Sequence, residues 1–220
     1  MRRSARSSTA LALALAAAGC DMPTVPGEAP AYEPTTLTGG RVYHWPLGAT
    51  IAIHVHAGAP AEVEALRADV LAGAAAWRST LRYDELRVRL VERPEEADVV
   101  VGVAGGDYPV ALEACGGAGL GIAAGFTLLC PAADSARTLP LRSGVAGRVK
   151  IAVIIDAGAT ETPAVRAAVV AHELGHAFGV GGHSTRADDL MYVEPRVATP
   201  SDRDGQTLRY VLHRPAALRL

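Results

Sequence analysis

His172 and His176 lie four residues apart, and Glu173 follows the first of them directly. On a helix that spacing puts both imidazoles on one face, one turn apart, where they can grip one metal ion. Glu173 then sits at the edge of the same site, placed to take a proton from a metal-bound water. Gly179 stops the helix, the chain turns through Gly181 and Gly182, and His183 arrives as a third nitrogen donor. Three protein ligands plus one water leave a position open for chemistry.

The carrier of these groups reads as a helix over 162–178. Pro163 suits the first turn, with Thr160 or Thr162 as cap. Val165, Val169, His172 and His176 fall on one stripe, and Val170, Leu174 and Phe178 on another. A helix apolar nearly all round is a buried one. A bare HExxH is a weak signal. Here a helix-stopping Gly, a late His and a downstream Met191 accompany it.

His172-Glu173-Leu174-Gly175-His176, then Gly179 and His183-Ser184, resemble the zinc-binding consensus of the metzincin metallopeptidases. Asp189-Leu190-Met191-Tyr192 is similar to their Met-turn, and the Leu-Met-Tyr run and the His-Ser pair resemble the matrixin branch most closely. Residues 200–208, PSDRDGQTL, look like the start of the matrixin C-terminal helix. The specific part of the resemblance covers roughly 165–212; upstream only the order of elements agrees. It implies a zinc-dependent endopeptidase acting on polypeptide substrates. One catalytic zinc would sit on His172, His176 and His183, with Glu173 as general base and Met191 as a structural floor. Tyr192 inherits no role.

The family spacing HExxHxxGxxH puts the third His at position 182, where this chain has Gly. Glycine tolerates unusual turns, so one residue of the Gly-rich stretch can be looped out. The distance from His183 to Met191 is preserved. The alternative is a third ligand missing or replaced. Two other functions compete: an inactive zinc-stabilised surface module that binds a partner, and a different metallohydrolase built on an HExxH helix. Glu173 argues against the first, the late His and the Met-turn against the second. Structural calcium is not indicated, because Asp107, Asp134 and Asp156 form no spaced loop motif.

The 220 residues allow one domain, and half of them are hydrophobic, enough for a substantial core. A formal charge of −2, with no basic run after residue 6, gives no reason to expect a nucleic-acid partner. A monomer is expected. Residues 1–20 read as a signal segment: Arg2, Arg3 and Arg6 precede a short Ala/Leu run ending Ala17-Ala18-Gly19-Cys20. That ending resembles a bacterial lipobox, which implies a lipidated Cys20 and a membrane-anchored envelope protein. An ordinary secretory signal is the alternative. Residues 21–40, with Pro23, Pro26, Pro30 and Pro34, read as an extended tether. The tether is too short for a folded pro-domain, so latency is not expected. The remaining exported pair, Cys115 and Cys130, is a disulfide candidate; an inhibitory Cys115 thiolate is the other reading.

The catalytic domain then spans 41–220. Residues 41–57 alternate as a first strand with a break at Pro46-Leu47-Gly48. His54 and His56 share one face of it, as surface residues or, less readily, ligands. Residues 60–80 read as a backing helix, with Val63, Leu66, Val70, Ala74 and Trp77 at helical spacing. Strands follow at 86–91 and 97–103, a short edge strand at 126–129, and a buried strand at 148–156. The expected fold is α+β: a twisted mixed sheet with two helices on one side, zincin-like, and a smaller lower half ending in a helix near 201–212. The substrate cleft would lie between the halves, with 193–199 shaping its wall.

Overall fold

The computed structural model describes residues 28–104, 119–120, 124–129, 138–140, 146–216 and 218–219. The alternating N-terminal segment forms β1 (Tyr43–His44) and β2 (Ala49–His56), parted by the Pro46-Leu47-Gly48 break. Next come α1 (Pro60–Ser79), β3 (Leu86–Val91), β4 (Val99–Val103), β5 (Gly119–Leu120) and β6 (Gly125–Leu129). The rest is β7 (Thr138–Pro140), β8 (Ala146–Arg148), β9 (Ile151–Ile155), α2 (Pro163–Phe178), α3 (Asp202–Leu212) and β10 (Leu218–Arg219).

Six strands form one sheet in the order β3-β2-β4-β9-β6-β5. β3, β2, β4 and β9 run parallel, while β6 is antiparallel to β9 and β5 to β6. The parallel pair β2–β3 needs a crossover, which α1 supplies. All five residues of β9 are buried, as its unbroken IAVII run requires. One face of the sheet presents Ile51, Ile53, Val55, Val99, Val101, Ile151, Val153 and Ile155 to α1 and α2. Ala52, Val100, Ala152 and Ile154 point the other way and pack with Leu128 and Val149. The arrangement is α+β, with both long helices on one face.

α1 and α2 touch closely because Gly73 faces Ala171; an added Cβ would lie 3.2 Å from Ala171 Cα. The chain after α2 contributes no regular strand before α3. It is a lower layer held by side-chain-to-backbone bonds. β7 and β8 form a small hairpin, and β1 pairs with β10. Among the described residues no helix is long and apolar enough to cross a membrane.

Two expectations are corrected. The strand at 126–129 is not at the edge, because β5 pairs outside it. Residues 28–40, assigned to the tether, lie on the domain. Glu28 pairs with Arg209, Tyr32 reaches Asp204, Pro34 and Thr38 are buried, and Leu37 N bonds Gly181 O at 2.8 Å. Composition describes this segment as polar and Pro-rich. What holds it is a set of partners on α3 and the preceding turn, remote in sequence. The signal segment, residues 21–27, the lipidation candidate Cys20 and the disulfide candidates Cys115 and Cys130 lie outside the described residues. So do Asp107 and Asp134.

Candidate metal centre

α2 starts where Thr162 Oγ1 accepts Val165 N at 3.2 Å, with Pro163 in the first turn. It stops at Gly179, whose φ of 130° suits glycine. A Cβ there would also lie 2.8 Å from Tyr43 O. Three aromatic donors fix the helix by its carbonyls. Trp77 Nε1 donates to Ala171 O at 2.8 Å, Trp45 Nε1 to Ala177 O at 2.8 Å, and Tyr43 Oη to His176 O at 2.5 Å. Each buried ring thus finds a partner for its polar end while its body fills the core.

His172, His176 and His183 come together, with one ligand atom from each lying within 4.8 Å of the others. His172 Nδ1 lies 2.8 Å from Leu190 O, and His176 Nδ1 lies 2.6 Å from Val180 O. A carbonyl only accepts, so both Nδ1 atoms carry the proton and both Nε2 atoms present lone pairs. Among the described residues, His172 Nε2 is buried with no hydrogen-bond partner. His176 Nε2 stands 3.3 Å from His183 Nε2. Lone pairs converging on one point, with one buried and orphaned, fit a metal ion.

Burial keeps the imidazoles neutral, the state a metal needs. It pushes His172 down to about 3, opposed by the bond to Leu190 and aided by His183. It holds His176 well below the ordinary histidine value, with His172 and His183 adding to the effect. His183 is lowered too, again by burial. Beside them Glu173 is fully buried, and burial pushes its carboxyl up to about 8, partly offset by a hydrogen bond from Thr127. Glu173 Oε1 is the second buried oxygen or nitrogen here without a partner.

The turn carrying His183 is pinned on both sides. Gly181 O accepts Leu37 N, and Gly182 lies against the backbone of Glu33 and Pro34. Beyond His183, Ser184 N donates to Met191 O at 2.7 Å, closing the loop over residues 184–191. Met191 is fully buried, and its sulfur packs on Gly175, between the two helix ligands in sequence; a Cβ there would lie 2.5 Å from Sδ and from Trp77. Asp204, also fully buried, supports the turn from α3. Its carboxylate accepts Leu190 N at 2.7 Å, Met191 N at 3.3 Å, Ser201 N at 2.8 Å and Tyr32 Oη at 2.7 Å. Asp189 accepts from Ser184, Ser201 and Arg203 in the same layer.

The cluster therefore contains all three histidines singled out by spacing. His54 and His56 are not part of it; their rings stack on β2, 6.3 Å apart. Thr127 and Asp204 were missed by sequence reading. A hydroxyl inside the apolar run GFTLL, and an acidic residue three after a capping Ser, were the available signals.

No family model matches this chain, and no curated protein does. Among solved structures, myroilysin matches 78% of this chain and 96% of its own, at 15% identity and a TM-score of 0.43. At that distance the likeness says nothing of this chain's chemistry.

Proposed function

We propose that the chain is a zinc-dependent endopeptidase of the metzincin type, with His172, His176 and His183 as ligands and Glu173 as general base. One observation carries this reading: two helix imidazoles, each tied through Nδ1 to a carbonyl, gather with His183 into one group of nitrogens beside a buried carboxylate. An all-imidazole donor set suits zinc among several transition metals. When bound, zinc supplies Lewis-acid polarisation of a water and of a peptide carbonyl.

The chain's own residues do the rest. Glu173 takes the proton of the attacking water at its unpartnered oxygen and passes it to the leaving nitrogen. With zinc held by the three histidines, the Glu173 carboxyl would be drawn down from its burial-raised value and would stand ionised as base. The carbonyls of Leu190 and Val180 fix the tautomer and tilt of two ligands. Met191 fills the floor with a soft apolar group rather than binding the ion. Export by the N-terminal segment and anchoring through a lipidated Cys20 belong to the same proposal.

The test is cleavage of an unfolded protein by the purified, zinc-loaded chain, with Glu173→Gln and a chelator as controls. Cleavage lost in both controls supports the assignment. No cleavage, with one zinc bound per chain, would instead favour a zinc-stabilised binding module.

A further inference from the structure

β6 lies directly against the base. It packs on α2 with Gly125 and Thr127 on the helix side of the sheet. Thr127 is fully buried, and its Oγ1 lies 2.7 Å from Glu173 Oε2 and 3.0 Å from Glu173 O. A threonine hydroxyl has a single proton to donate. The peptide carbonyl of Glu173 already lies within the helix ladder, whereas the carboxylate has no other partner for Oε2 among the described residues. The shorter bond goes to the carboxyl, where a hydrogen bond becomes the stronger of the two once that group ionises as a base. Two residues earlier, Gly125 leaves the room the carboxylate occupies. A Cβ there would lie 2.8 Å from Glu173 Cγ, from Oε1 and from Val169 Cγ1.

We infer that Thr127 is a positioning residue for Glu173: its hydroxyl holds Oε2 and leaves Oε1 as the oxygen free to move a proton. This rests on the endopeptidase reading above. The carboxylate of a base must present one oxygen in a fixed direction, and a buried side chain held by one oxygen cannot swing. Gly125 makes the arrangement fit, since any larger residue would push the carboxylate out of Thr127's reach. The strand beside the base, and not only the helix that carries it, therefore sets the base's geometry.

The test uses the full, zinc-loaded chain with Thr127→Val, which keeps the shape and loses the hydroxyl, and Thr127→Ser, which keeps the hydroxyl. Thr127→Val should lower kcat on the order of tenfold to a hundredfold, the usual cost of losing such a supporting partner. KM and zinc affinity should stay within about twofold, and Thr127→Ser should recover most of kcat. Wild-type kcat in Thr127→Val, or equal losses in both variants, would overturn the inference. A readout without turnover is a double-mutant cycle in urea unfolding of the metal-free chain, combining Thr127→Val with Glu173→Ala. Coupling between the two is expected. Additive effects would show that the hydroxyl serves only the peptide carbonyl, which Glu173→Ala retains, and would overturn the inference whether or not the protein cleaves peptides.

Discussion

The carbonyl of Glu33 fills the space where a side chain at Gly182 would begin. Gly182 is the position at which the family spacing would put the third histidine. The Gly181–Gly182 turn packs against residues 33–38, and His183 follows from it. Gly182→Ala should therefore displace either that segment or the ligand turn. Zinc affinity, measured by competition with a chelator, should fall on the order of tenfold, comparable to losing a supporting partner. Unchanged affinity would mean that the segment does not hold the ligand.

Asp204 has four donors and no exposure. Asp204→Ala leaves three backbone N–H groups and the Tyr32 hydroxyl without their acceptor. The expected loss is about 3 kcal/mol or more, since orphaned buried groups each carry a desolvation cost. Urea unfolding of the metal-free chain measures it. A loss below about 1 kcal/mol would show that water or relaxation replaces the carboxylate.

The N-terminal segment should be acid-sensitive at one end. Hydrogen bonding to Arg209 holds the Glu28 carboxyl below its ordinary value of 4.5. A depressed folded pKa contributes stability above the unfolded value, and that contribution disappears as pH falls through the folded pKa. Stability should fall between neutral pH and below about 4.5 by more in the wild type than in Glu28→Gln. Parallel pH profiles for the two proteins would count against the pair.

Removing metal should expose what the fold carries for it. His172 Nε2 and Glu173 Oε1 are buried with no hydrogen-bond partner among the described residues. Adding zinc to chelator-treated protein should raise Tm with zinc concentration, as ligand linkage requires. His183→Ala should weaken that rise by at least about tenfold in zinc concentration, while Glu173→Gln should leave most of it. A Tm indifferent to zinc would remove the metal centre from consideration.

Much of the site could be read from local spacing. His172 and His176 sit where a helix puts residues four apart, and Gly179 has the positive φ that ends it. α1, β3, β4 and β6 fall within a residue or two of expectation, whereas β9 begins three residues later than expected and β5, β7, β8 and β10 were not foreseen. The misread parts are long-range. β6 is covered by β5, and residues 28–40 dock on α3, because hydrogen-bond partners distant in sequence are invisible to composition.

The chain's sequence by itself determined the helix and the placing of His172, Glu173 and His176 on it, because a 3.6-residue period is a local property. Only the tertiary structure decided which carbonyls fix the imidazole tautomers, that Thr127 bonds Glu173, and that Asp204 holds the turn at Leu190 and Met191. Those are contacts between segments whose approach is set by packing, and packing is a property of the whole core.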